Sequence, residues 1–222
     1  MRGRLLLAPL LFLAACQQPA SAEPALLAPA ARVQAHEPPG LRTAIFAGGC
    51  FWGIEAVFSH VRGVRSAVSG FHGGTASTAH YDIVSSGRTG HAEAVKVTYD
   101  PAQVRYDELL RIFFSVGADP TLVNRQGPDE GTQYRSALVP LDGEQRRVAQ
   151  VYLEQLGASG LWQGPIATRI EPYKTFYPAE AYHQDFAAEN PNHGYIRRWD
   201  APKVEALKRL FPAQYKAAFT RG

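Results

Sequence analysis

Of the two cysteines in the chain, Cys16 and Cys50, the second has the surroundings of a nucleophile. It follows Gly48-Gly49 and precedes Ile54, Val57, Phe58 and Val61, apolar positions with helical spacing. A thiol at a helix start meets unpaired N–H groups and the positive end of the helix dipole, which stabilise an anion and lower the thiol pKa. The double glycine lets the backbone approach a ligand closely. The structural alternative is a buried small hydrophobe, the common fate of a free cysteine; the glycines weigh against it. Phe51 and Trp52 follow the thiol directly. They could wall a pocket for a methyl or thioether group, although core packing is the usual work of such rings.

Other chemistries fail on inventory. The seven histidines, His36, His60, His72, His80, His91, His183 and His193, form no Cys/His spacing of a zinc site, so no metal is implied. Residues 71–77, FHGGTAS, lack the G-x-G-x-x-G and G-K-[ST] patterns that cradle phosphates. Formal charge is +3, but removing Arg2 and Arg4, which lie in the segment read below as a leader, leaves 21 basic against 20 acidic residues. No basic stripe for nucleic acid stands out. A papain-like cysteine protease would pair Cys50-Phe51-Trp52 with His183, about 130 to 150 residues downstream, and with Asn190 or Asn192. That reading lacks a Gln before the thiol to complete an oxyanion hole, and the paired cysteines of secreted proteases are missing.

Positioning Cys50 requires a strand, a glycine turn and a helix, and the flanking residues supply them. TAIFA (43–47) is a short apolar run closed by Gly48-Gly49; VRSAVSGF and AVKVTYDP read as further strands, with Val95, Val97 and Tyr99 alternating with polar residues. Leu109, Leu110, Ile112, Phe113 and Val116 mark a helix, and TQYRSALVPL (132–141) reads as a fourth strand. Asp142 with Gln145 offers a cap for a helix reaching Leu156. IATRIEP reads as a fifth strand, and 200–219, with Pro202 in its first turn, as a last helix. The order predicts an α+β domain over 41–222, a ferredoxin-like split βαβ sandwich with a largely antiparallel sheet, additional helices and long loops. Loops at 71–92, 117–132 and 172–200 are long for a compact domain and are expected to carry function.

The 222 residues, 45% hydrophobic and 19% charged, suit one such domain plus extra length at an end. Residues 1–15 read as a signal peptide: two arginines, an apolar run from Leu5 to Ala15 too short to span a bilayer, then small residues. Leu13-Ala14-Ala15-Cys16 resembles a bacterial lipobox, which predicts a lipidated Cys16 and a membrane-anchored lipoprotein. The alternatives are cleavage after Ala20-Ser21-Ala22, giving a secreted or periplasmic protein, and a buried N-terminal helix, against which Pro9 speaks. Residues 16–40, rich in Ala and Pro, read as a tether. Gln17 after the cysteine resembles sorting signals that favour the outer membrane.

Three motifs in order carry a family resemblance: Gly48-Gly49-Cys50-Phe51-Trp52-Gly53, Thr89-Gly90-His91-Ala92-Glu93-Ala94-Val95, and Gly131-Thr132-Gln133-Tyr134-Arg135-Ser136. Together with Pro202-Lys203-Val204 and Phe211-Pro212, they make roughly residues 43–216 resemble the A-type peptide methionine sulfoxide reductases. The resemblance implies reduction of methionine S-sulfoxide through a sulfenic acid on Cys50. It implies that Glu93 protonates the departing oxygen, that Tyr81 and Tyr134 hydrogen-bond it, that Phe51 and Trp52 hold the methyl group, and that Asp129 binds the methionine backbone. His183 is a further candidate site residue. Phe186 stands where many relatives have Tyr, Pro128 where many have Asn and Ser85 where many have a second cysteine. Ile196 occupies the place where two-cysteine relatives often carry a resolving cysteine. The expected enzyme is therefore a monomer without cofactor that depends on an external thiol, a thioredoxin-like protein or another dithiol. A non-catalytic lipoprotein that binds oxidised methionine is the alternative, and replacing Cys50 separates the two.

Overall fold

The structure, a computed structural model, describes residues 25–222. The residues read as a signal peptide and as a lipobox, Cys16 included, lie outside the described residues. In chain order come β1 (Arg42–Gly48), α1 (Phe51–Ser59), β2 (Val64–His72), the one-turn helix α2 (Tyr81–Val84), β3 (Ala92–Tyr99) and α3 (Tyr106–Ile112), which continues as a wider π turn over Phe113–Gly117. A small hairpin follows, β4 (Arg125–Gln126) and β5 (Asp129–Glu130), then β6 (Ser136–Val139), α4 (Gly143–Gly157), β7 (Arg169–Ile170), β8 (Phe176–Pro178), α5 (Phe186–Glu189) and α6 (Ala201–Leu210).

The main sheet has the order β7-β6-β1-β3-β2-β8. β3 lies between β1 and β2 and is antiparallel to both, the split βαβ arrangement read from the sequence; β6 and β7 form the one parallel pair among the described strands. The two-residue period of a strand decides what each face holds. On β3, Val95, Val97 and Tyr99 face the main core with Phe46, Phe58 and Leu109, whereas Ala92 and Ala94 join a smaller cluster with Ile45 and Ala47 on the opposite face. By the same period Glu93 belongs to the row of Val95 and Val97, so its carboxyl enters the apolar helix layer.

Four expected boundaries shift. The strand read over 132–141 is limited to Ser136–Val139, because Thr132–Tyr134 closes into a 3-10 turn after Gly131, whose φ is +141°. IATRIEP contributes only Arg169–Ile170. The last helix stops at Leu210 rather than 219: the ring of Pro212 bars Phe211 from helical conformation, and Phe211 takes φ −131°, ψ 55°. The fourth difference is at the N-terminus. Residues 25–40, expected as part of a free tether, lie against α3 and α4, with Ala28 and Ala35 buried.

The arm 25–40 has no strand or helix of its own, so its backbone groups need side-chain partners. Tyr152 donates to Pro29 O (2.8 Å), Gln155 to Ala30 O (2.7 Å), Arg32 N to Gln155 Oε1 (2.8 Å) and Ala35 N to Asp107 Oδ1 (2.9 Å). Glu37 accepts from Tyr106 N, in the first turn of α3, at 2.9 Å and from the Tyr99 hydroxyl. Glu37→Ala leaves both donors without a partner and is expected to cost about 1–3 kcal/mol. Urea unfolding measures it; an unchanged midpoint would show that the arm does not hold the domain.

Candidate active site

Local sterics deliver Cys50 to its place. A Cβ on Gly48 would lie 2.6 Å from the Phe113 ring, and one on Gly49, at φ +89°, 2.5 Å from Gln126 Cβ. Neither position admits a side chain, so β1 ends flush against the π turn and β4, and Cys50 falls at the N-cap of α1. The first turn of α1 then meets β3: Phe51 N–H donates to Glu93 Oε2 at 3.0 Å. Glu93 is 1% exposed, and burial pushes its carboxyl up to about 8 against the pull of that bond. At neutral pH the carboxyl is mostly protonated and carries a donor.

The thiol does not behave as its helix position suggested. Burial raises the Cys50 pKa well above its ordinary value, with the carboxyls of Glu93, Asp200 and Asp129 adding to the rise; only the Trp52 N–H favours the thiolate. With Glu93 protonated its repulsion is absent, and burial remains the leading cause. The helix terminus loses because its first N–H serves Glu93 instead of sulfur. Cys50 rests as a half-buried thiol.

Tyr81 and Tyr134 are half-buried, and both feel Glu93 and Cys50; burial pushes Tyr81 up to about 12 and Tyr134 upward too, so both remain hydroxyl donors. Asp129, at the start of β5, accepts from Tyr195 and is raised by burial. Phe51 is 1% exposed and packs on Phe71, Tyr81 and His183, backing the site from the core. Trp52 is half-buried and stacks on Phe186 at 3.8 Å between ring centres, with Tyr195 edge-on at 5.9 Å. Its indole N–H donates to His183 Nδ1 at 3.1 Å. His183, kept neutral by burial, thus fixes the indole, and Phe186 is a stacking platform where a Tyr would also have offered a hydroxyl.

All eight candidate residues of the described chain therefore gather around the head of α1, though not on one wall. A cavity of about 280 Å³ opens beside Cys50 and is lined on its near side by Asp129 and Tyr195; Glu93, Tyr81, Tyr134, Phe51, Trp52 and His183 are not among its lining residues. Sequence reading missed Tyr195, which it passed over for the residue after it, and Asp200. The Asp200 carboxyl is 1% exposed and has no hydrogen-bond partner among the described residues; burial pushes it up to about 7. It lies so close to α1 that a Cβ on Gly53 would come within 2.2 Å of Oδ1, which explains that glycine. Among the described residues no group of three or more His, Cys, Asp or Glu side chains could hold a metal ion.

A thiol beside a protonated carboxyl, two phenols and an aromatic wall, carried on a ferredoxin-like sheet, fits an oxidoreductase. Residues 42–215 match the family model described as peptide methionine sulfoxide reductase. The chain is 56% identical over 177 residues to the Mesorhizobium japonicum protein named peptide methionine sulfoxide reductase MsrA 2, covering 80% of this chain and 91% of that one. Identity to the Deinococcus radiodurans protein named peptide methionine sulfoxide reductase MsrA is 52% over 168 residues, covering 76% and 81%. Among solved structures, Mxr1 of Saccharomyces cerevisiae in reduced form matches with TM-score 0.62 and 34% identity over 72% of this chain and 92% of that one. Methionine sulfoxide reductase A of Corynebacterium diphtheriae matches with TM-score 0.58 and 35% identity over 77% and 87%. The chain belongs to the peptide methionine sulfoxide reductase family. It is an enzyme that reduces methionine sulfoxide to methionine.

Proposed function

We propose that the enzyme repairs the S epimer of methionine sulfoxide in oxidised proteins, and as the free amino acid, by a one-cysteine cycle. The observation that carries this is Glu93: a carboxyl protonated at neutral pH, bonded to the N–H next to Cys50. Glu93 gives its proton to the sulfoxide oxygen, with the Tyr81 and Tyr134 hydroxyls as further donors, while Cys50 sulfur bonds to the substrate sulfur. The thiol proton passes to the vacated carboxylate. A second proton transfer from Glu93 releases the oxygen as water; water then attacks Cys50 sulfur, methionine leaves, and the freed proton returns to Glu93. Cys50 ends as a sulfenic acid, two electrons having passed from its sulfur to the substrate. Asp129 accepts from the methionine backbone.

Cys50 is the one cysteine among the described residues, and Ile196 is 3% exposed where two-cysteine relatives carry a resolving thiol. An external dithiol, a thioredoxin-like protein, therefore has to reach the sulfenic acid. The leader supports export: a lipid on Cys16 anchors the enzyme at a membrane facing the periplasm, the outer membrane being favoured by Gln17. Intact mass of membrane-extracted protein tests this, a mature chain starting at Glu23 without lipid being the result against it.

Trp52, fixed by His183 and Phe186, forms the wall for the sulfoxide methyl group. Trp52→Ala is expected to raise KM several-fold more for methyl than for polar sulfoxides. A loss of thermal stability with unchanged substrate preference would assign the ring to packing alone.

A further inference from the structure

The cavity beside Cys50 extends well past the reacting atoms. From Cys50 and Asp129 it runs along α6, whose Lys203, Ala206 and Arg209, three residues apart, line one wall. Trp162 and Trp199 add apolar surface. Six residues of helix span about 9 Å, the length of roughly three residues of extended chain. A sulfoxide side chain held at Cys50 leaves this stretch to the neighbouring residues of its peptide.

Four charged side chains line the cavity, and its two carboxylates are engaged within the fold: Asp119 accepts from Thr121 and Asp129 from Tyr195, which leaves Lys203 and Arg209. Residues 196–210 carry Arg197, Arg198, Lys203, Lys208 and Arg209 against Glu205 and the buried Asp200. Lys203 and Arg209 make no ion pair or hydrogen bond among the described residues, although Lys203 is near enough to Asp129 and Asp200 to act on both. Arg209, with no carboxylate partner among the described residues, and Lys203, which feels Asp129 and Asp200 without bonding either, suit an anion supplied by the ligand, and a long cation lays its stem along apolar surface at little cost.

We propose that the groove along α6 is a subsite for an acidic residue within about three positions of the oxidised methionine, held by Lys203 and Arg209. This rests on the Cys50 reductase reading and makes the enzyme selective among oxidised sites by local sequence. The pairing is partly exposed, so the preference is screened by salt.

The test uses the mature chain with dithiothreitol as reductant and short peptides holding one methionine S-sulfoxide. Glu, Gln or Lys is placed at each of three positions on either side. The expected result is a kcat/KM about fivefold higher for Glu than for Lys on one side of the sulfoxide, flattened at 0.5 M salt, as for a partly screened ion pair. In Lys203→Glu and Arg209→Glu the Glu-to-Lys ratio should invert, and in Arg209→Gln it should fall toward one. The ratio is read within each variant, so partial loss of folded protein does not alter it. Equal rates for Glu and Lys peptides at every position would overturn the proposal. So would variants that keep the wild-type ratio but raise KM for a protein dithiol, since the groove would then receive the reductant. Absence of turnover on N-acetylmethionine sulfoxide would instead overturn the reductase reading beneath it.

Discussion

Cys50→Ser is expected to show no turnover of methionine sulfoxide with any reductant, because in the proposed cycle the electrons come from the Cys50 sulfur. In the wild-type protein, freed of reductant and mixed with excess sulfoxide, about one methionine should be released per enzyme and then no more, in line with a thiol that stops at the first rung of its oxidation ladder. Dimedone should label Cys50 once. Nothing else in the described chain can relieve the sulfenic acid, since Cys50 is the one cysteine among the described residues. Repeated turnover without thiol, or an intramolecular disulfide in the mature protein, would overturn the one-cysteine cycle. In an oxidising compartment such an enzyme depends on a dedicated dithiol partner rather than a glutathione pool.

Glu93→Gln should slow the single-turnover oxidation of Cys50 by roughly 10²- to 10⁴-fold, the usual share of a positioned general acid. The amide still accepts from Phe51 N–H, so the geometry of α1 is kept while the carboxyl proton is lost. Direction of the pH dependence follows from the raised carboxyl. The protonated donor is present below about 8 and lost above it, so the wild-type rate should fall as pH rises through about 8, and the variant should lack that limb. Stability moves too. Between the ordinary value of 4.5 and about 8 the unfolded chain releases a proton that the folded one keeps, so stability declines across that window as pH rises. Glu93→Gln removes the decline and should be more stable than wild type at pH 8, relative to pH 5. Equal rates at every pH would remove Glu93 from the acid role.

Cys50 and its aromatic neighbours were legible in local pattern, whereas Glu93, Tyr81, Tyr134 and Asp129 were assigned by the family resemblance. Gly48-Gly49 before a helically spaced apolar run places Cys50 at an N-cap, and the order of strands and helices around it gives the split βαβ plan. The alternation of Val95, Val97 and Tyr99 carried a further signal that went unused: extended back two residues, it places Glu93 on the buried face. What escaped is carried by groups that meet only in three dimensions. The thiol pKa was read from the helix end alone, whereas its rise comes first from burial, with the carboxyls brought by β5 and the start of α6 adding to it. Tyr134 was read within a strand because its neighbours alternate, yet Gly131 turns the chain there. The arm 25–40 shows no periodicity since its partners, among them Asp107, Tyr152 and Gln155, are side chains of distant helices. The early end of the last helix also had a plain signal, Pro212, that went unused.

The docked arm also sets a leash. As a free tether, 16–40 would give a lipid on Cys16 a working radius on the order of 80 Å, at about 3.4 Å per extended residue. With residues from Ala25 onward fixed to the domain, only the nine steps from Cys16 to Ala25 remain, about 30 Å at full stretch. Ala25 and Leu26 themselves line the groove that leads to Cys50. Under the proposed anchoring, the mouth of the catalytic cleft is therefore kept close to the lipid headgroups, patrolling a thin layer of surface rather than the bulk compartment. Proteins embedded in or bound to that membrane then meet the cleft at a high effective concentration, which a loose tether of the same length would dilute.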